Sequence, residues 1–107
     1  IALVEVHDCF TISGMLSIEA IGFAGHGKAP GFILDGGLSR IQLNLSGGLG
    51  GFGHPTGATG VRQLVDMLHQ FTGKAANPGN LRTPYGMTVN MGGNDKTVTS
   101  FIVKGLR

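Results

Sequence analysis

Apolar residues along this chain alternate between two periods. Leu3 to His7 reads as a buried strand, with Val4 and Val6 on one face and Leu3, Glu5 and His7 on the other. The period then lengthens: Phe10, Ile12, Met15, Leu16, Ile18 and Ala20 predict a helix to about Ile21, with Asp8 or Thr11 as its cap and Gly22 as its stop. Gly25 to Gly37 is rich in glycine and reads as loop. Ile41 to Leu45 alternates as a strand does. After a glycine-dense stretch from Ser46 to Gly57, the residues Val61, Leu64, Val65, Leu68 and Phe71 recur at helical spacing, and Gly73 ends that helix. Tyr85 to Val89 and Val98 to Val103 read as two strands joined by a hairpin turn at Gly92-Gly93-Asn94-Asp95. The order β-α-β-α-β-β predicts an α/β fold with a mixed sheet sandwiched by helices, because a terminal hairpin is antiparallel.

Composition narrows the classes. Twenty of the 107 residues are glycine, against a usual share of roughly 7%. They follow no three-residue repeat and only four prolines accompany them, which excludes collagen. At 41% hydrophobic the chain is too apolar for a disordered segment. A single cysteine excludes an intrachain disulfide scaffold, and a net charge of +2 with scattered basic residues leaves no footprint for nucleic acid. No apolar run approaches the ~18 residues of a membrane span. Only 13% of residues are charged, about half the usual ~25%. That shortage predicts surface covered by a partner or by further chain. The chain also opens at Ile1 directly in a strand pattern, as a fragment or a processed chain would.

Two places could carry chemistry. His7-Asp8-Cys9-Phe10 lies at the carboxyl end of a strand, where open α/β sheets place ligands. If the extended conformation persists, His7 and Cys9 share a side and Asp8 points towards structure. A thiol beside an imidazole suits proton transfer near neutral pH; a structural cysteine beside a satisfied histidine is the competing reading. His54 sits in the glycine-rich turn ahead of a helix, where a neutral imidazole can act as base or oxyanion donor; an incidental histidine in a surface loop competes there. Gly48-Leu49-Gly50-Gly51-Phe52-Gly53 fits G-x-G-x-x-G, but His54-Pro55 intervenes before the helix, and Asp66 falls within it, so dinucleotide binding is discounted. His7, Cys9, His54 and His26 have no standard metal-ligand spacing. His69, in mid-helix, reads as a solvated side chain.

Taken in order, His7-Asp8-Cys9-Phe10, Asn44-Leu45-Ser46-Gly47-Gly48 and Gly53-His54-Pro55-Thr56-Gly57-Ala58-Thr59-Gly60 resemble the C-terminal part of a thiolase. The H-D-C-F form is similar to the sterol-carrier-protein-type thiolases, where most others carry N-E-A-F. The resemblance implies one half of the duplicated thiolase fold, truncated before its first strand and helix, with the helix near Ala58 central and facing the other half. It implies 3-oxoacyl-CoA thiolysis or Claisen condensation. Its catalytic residues would be His54 as the acceptor of the nucleophile's proton, His7 as an enolate stabiliser, and Cys9 as the acid/base at the α-carbon. Gly53, Asn90 and Gly92 would contact substrate; Asn90 stands where most thiolases carry a second cysteine.

The resemblance implies a coenzyme A thioester as substrate, with no metal and no other cofactor. The nucleophilic cysteine of the N-terminal half is absent from residues 1–107, so the chain alone is expected to be inactive. A missing N-terminal half or partner chain, and a homo-oligomer formed at an exposed sheet edge, are the expected partners. A non-catalytic thiolase-like protein that binds acyl-CoA or lipid, or serves in assembly, is the alternative. The expected compartment is the cytoplasm, or the peroxisome or mitochondrion in a eukaryote.

Overall fold

The computed structural model describes residues 1–106. It contains strand β1 (Leu3–Val6), helices α1 (Thr11–Ile21), α2 (Ala29–Leu34), α3 (Gly37–Ile41), α4 (Gly48–Phe52) and α5 (Thr59–Phe71), and strands β2 (Tyr85–Gly92) and β3 (Thr97–Lys104). The sheet order is β1-β2-β3, with β1 and β2 parallel and β2 and β3 antiparallel. This is the expected mixed sheet. Every residue of β1 is buried, because both of its faces are covered. On one face Val4, Val6 and Val89 pack with Ile21 and Phe23 at the end of α1. On the other, Ala2 and Leu3 pack with Met67 and Phe71 of α5. No helix among the described residues is long and apolar enough to cross a membrane.

Both long helices stop as expected. Gly22 is left-handed at the end of α1, and the Gly22 and Phe23 N–H groups turn back to Glu19 and Ile18. The start of α1 differs from expectation. Phe10, in extended conformation, occupies the cap position without a side-chain bond, since Asp8 is engaged elsewhere. The stretch from 25 to 37 is also not all loop, because α2 lies wholly within it and α3 begins there. Helices of five or six residues are too short to show periodicity and too short to persist alone. Here Pro30 lies in the first turn of α2, and Glu19 of α1 accepts the Gly27 and Ala29 N–H groups at 2.9 and 3.0 Å. Those same bonds, Ala29 first, hold the Glu19 carboxyl below the ordinary glutamate range.

The expected strand at 41–45 shrinks to one bridge, Val4 to Leu43. Gln42 and Asn44 on either side have φ of 49° and 48°, so the backbone cannot stay extended. Side chains continue the pairing instead. Asn44 Oδ1 accepts the Val6 N–H at 2.7 Å, and its Nδ2 donates to the Val6 carbonyl at 3.3 Å. With β2 on one side and this segment on the other, β1 is not a free edge. The edge strand is β3, exposed along nearly its whole length, including Val98, Phe101 and Ile102.

Helix α5 sits where expected, with its apolar stripe turned outward. Thr59, Gln63 and Met67 are buried against the sheet, whereas Val61, Val65 and Leu68 are exposed. Ile12 and Leu16 of α1 are likewise exposed while Ser13 and Ser17 are buried. Ile18 of α1 and Met67 of α5 are the large apolar residues these helices bury, alongside Ser13, Ser17, Thr59 and Gln63, while Ile12, Leu16, Val61, Val65 and Leu68 face away from the sheet.

Candidate active site

The ends of β1 and β2 set the floor of the site. Val6 pairs with Val89, so His7 and Asn90 follow side by side, one just past the end of β1 and the other within β2. His7 is 4% exposed, and its Nδ1 lies 2.7 Å from Asn90 Oδ1. The second imidazole arrives from the glycine-rich turn. Its ring stands edge-on to that of His7, with centroids 4.7 Å apart and planes at 87°. His54 Nδ1 is 2.6 Å from the hydroxyl of Thr59, the first residue of α5. Half-buried Cys9 completes the group.

These three side chains line one open cleft of about 440 Å³, together with Phe10, Met91 and Gly92. The structure therefore brings His7, Cys9 and His54 together with Gly92. Asn90 does not line the cleft and reaches it through its bond to His7. Gly53, left-handed and exposed immediately before His54, does not line it either. His26 lies apart, on the surface 3.6 Å from Glu19. His69 lines a separate polar hollow with Arg62, Asp66 and Lys74, and is half-buried rather than fully solvated.

The Asn44-Leu45-Ser46-Gly47-Gly48 stretch braces the strand that carries His7 and Cys9. Beyond the Asn44 bonds to Val6, the Ser46 hydroxyl donates to Glu5 at 2.6 Å and the Ser46 N–H donates to the same carboxylate at 3.2 Å. Asp8 accepts the Leu49 N–H at 2.8 Å, which confirms that its side chain points into structure. Gly48 permits this approach: a Cβ there would lie 2.9 Å from both Asp8 Oδ1 and Asn44 Nδ2, and nearer still to Asp8 Oδ2. Burial pushes the Glu5 carboxyl above the ordinary glutamate range, with Asp66 and Asp8 adding to the rise; the Ser46 bonds oppose it.

Sequence reasoning missed Thr59 and the bracing roles of Asn44 and Ser46. A threonine opening a helix five residues after a candidate histidine was the available signal for Thr59. The motif marked Asn44 and Ser46 but not what they hold, since their partners lie about forty residues earlier in the chain.

The family described as thiolase C-terminal domain-like matches residues 1–104. An acetyl-CoA acetyltransferase of Methanothermobacter thermautotrophicus is 42% identical over 106 residues, covering 95% of this chain and 27% of that protein. The acetyl-CoA acetyltransferase of Methanocaldococcus jannaschii is 36% identical over 111 residues, covering 96% and 28%. Sterol carrier protein 2 of Oryctolagus cuniculus is 39% identical over 79 residues, covering 70% and 14%. The chain thus spans little more than a quarter of the length of the two acetyltransferases.

Proposed function

Because this chain belongs to the thiolase family and corresponds to its C-terminal domain, we propose that it supplies the proton-transfer groups of a site that makes or breaks a carbon–carbon bond beside a coenzyme A thioester. The observation that carries this reading is the convergence of His7, Cys9 and His54 on one cleft from two separate stretches of chain. Removing a weakly acidic α-proton succeeds only where the enolate oxygen meets placed donors, so a base and donors must share a site.

A cysteine outside these residues gives its thiol proton to His54 Nε2, attacks the acyl-CoA carbonyl and becomes acylated, and coenzyme A leaves with a proton. The Cys9 thiolate takes an α-proton from a second acetyl thioester. The resulting enolate attacks the acyl carbonyl and expels the enzyme thiolate, giving the 3-oxoacyl product; passage of the proton from Cys9 to that thiolate restores both cysteines, and thiolysis is the reverse. His7 would donate to the enolate oxygen, directly or through water. Direct donation from Nε2 requires Asn90 to present its amide NH2 to Nδ1, and the two ends of that amide are interchangeable at this contact. Asn90 then acts through His7 rather than on substrate. The outward stripes of α1 and α5 are where we place the rest of the protein, and the thioester is the only coenzyme the reading needs.

The test separates the two half-reactions in a protein that joins this chain to an acylatable cysteine. Acetyl-CoA should acetylate that cysteine in both wild type and Cys9→Ala, as read by mass. Formation and cleavage of acetoacetyl-CoA should fall by roughly 100- to 10,000-fold only in Cys9→Ala. Full turnover in Cys9→Ala overturns the role of Cys9. The 107-residue chain by itself should show no turnover; acetoacetyl-CoA cleavage by it, abolished in Cys9→Ala, overturns the requirement for an outside nucleophile.

A further inference from the structure

Thr59 is fully buried, belongs to the first turn of α5, and touches the imidazole expected to accept a proton. Its hydroxyl has two neighbours, His54 Nδ1 at 2.6 Å and the Pro55 carbonyl at 3.3 Å. A hydroxyl has one proton and two lone pairs. Directed at the Pro55 carbonyl, which is one turn back and within reach of a helical threonine, that proton leaves a lone pair facing His54. Both contacts are then satisfied, provided His54 carries its own proton on Nδ1. Directed at His54 instead, the proton forces the ring into the Nε2–H form and gives up the hydroxyl's second bond, although the Pro55 carbonyl keeps the Ala58 and Thr59 N–H groups at 2.7 and 3.1 Å.

We propose that Thr59 is the positioning residue of His54. Its hydroxyl accepts the Nδ1–H bond and so holds the ring in the tautomer whose Nε2 lone pair is free for the cleft. The inference rests on the reading of His54 as the group that takes the nucleophile's proton. A base at Nε2 must start unprotonated there. Once it has taken the proton, the ring is an imidazolium whose Nδ1–H still needs an acceptor, and Thr59 serves both states without rotating. The next residue ties this turn to the other imidazole: Gly60 lies against Asn90, where a Cβ would come within 2.9 Å of Nδ2. One turn of α5 therefore supplies the partner of His54 and lies against the partner of His7.

The experiment is heteronuclear NMR on the chain with isotopically labelled histidine, at alkaline pH where imidazoles are neutral. The His54 signals are identified by their loss in His54→Gln. In the wild type the protonated, pyrrole-type nitrogen of His54 should be Nδ1 and the unprotonated, pyridine-type nitrogen Nε2. Thr59→Val, equal in size but unable to accept, should shift the ring to the Nε2–H form that histidine prefers in water; Thr59→Ser should keep the wild-type pattern. The wild-type spectrum needs no variant, so a poorly folded Thr59→Val leaves the test intact. An Nε2–H pattern in the wild type overturns the proposal, as does an unchanged pattern in folded Thr59→Val. Failure of the functional reading shows separately. The expected tautomer in a complete protein that lacks thiolase turnover would sink that reading and leave the geometry standing, whereas turnover with the other tautomer would sink only the role of Thr59.

Discussion

Gly48→Ala perturbs the junction between the two sequence stretches that build the site. Gly48 has φ of +62°, and its Cα faces the Asp8 carboxylate and the Asn44 amide. Three terms set the magnitude. Placing an L-residue in the left-handed region costs about 1–2 kcal/mol. The new Cβ must also displace Asp8, whose own Cβ has α1 behind it; a Cβ on Gly14 would lie only 3.3 Å away. Losing the 2.8 Å bond from the Leu49 N–H to Asp8 costs about 1.5–3 kcal/mol, as for a bond to a charged group. Against these, the lower conformational entropy of alanine in the unfolded chain returns roughly 0.4–1 kcal/mol. The steric and hydrogen-bond terms win, leaving a net loss of about 2–4 kcal/mol, a large share of the 5–15 kcal/mol typical of a domain.

The control for that loss is Gly27→Ala. Gly27 has φ of +70° with nothing within 4 Å of a built Cβ, so it carries the backbone term alone. Urea denaturation of both variants should show Gly48→Ala the less stable by at least about 1 kcal/mol. A double variant with Asp8→Ala should recover part of the loss, because it vacates the space the methyl group needs. Equal destabilisation by the two glycine substitutions, or strict additivity with Asp8→Ala, would refute the close approach of Asp8 to Gly48.

Two further predictions concern charge and surface. Because burial raises the folded-state pKa of Glu5 above its unfolded value, the native state holds an extra proton between those two values, and stability should fall as pH rises through that window; Glu5→Gln, which can still accept from Ser46, should flatten that slope in thermal melts, and an unchanged slope would assign it to another group. Leu68 is 57% exposed on the outer stripe of α5, so Leu68→Lys should change the stability of this chain by no more than about 0.5 kcal/mol. In a longer protein that covers the stripe, the same change should cost about 1.5–3 kcal/mol, and equal effects in both would show that the stripe stays uncovered.

Local signals in the sequence determined the elements with their own period or stop residue. The Leu3–His7 strand, the two long helices with their glycine ends, and the C-terminal hairpin were all legible, because each depends on residues within a turn or two of one another. His7 and Cys9 were expected on one side by strand alternation, and both line the cleft, although β1 itself ends at Val6. The motifs also identified His54, although no spacing argument could bring it against His7 from 47 residues away.

Tertiary structure decided what depends on distant partners. The helices α2 and α3 lie where the sequence reads mostly as loop; α2 starts where Glu19 of α1 accepts the N–H groups of Gly27, just before it, and of Ala29, its first residue. The strand at 41–45 gave way because the Asn44 side chain, at a left-handed backbone position, takes over the bonds to Val6. The outward turn of the α5 stripe could not be read from periodicity, which shows that a helix has an apolar face but not which body that face meets. The contact between His54 and Thr59, only five residues apart, also required the fold, because a turn containing left-handed Gly53 and rigid Pro55 sets the ring's direction. Short-range periodicity is written along the chain, whereas the partners of a side chain exist only once distant segments have packed.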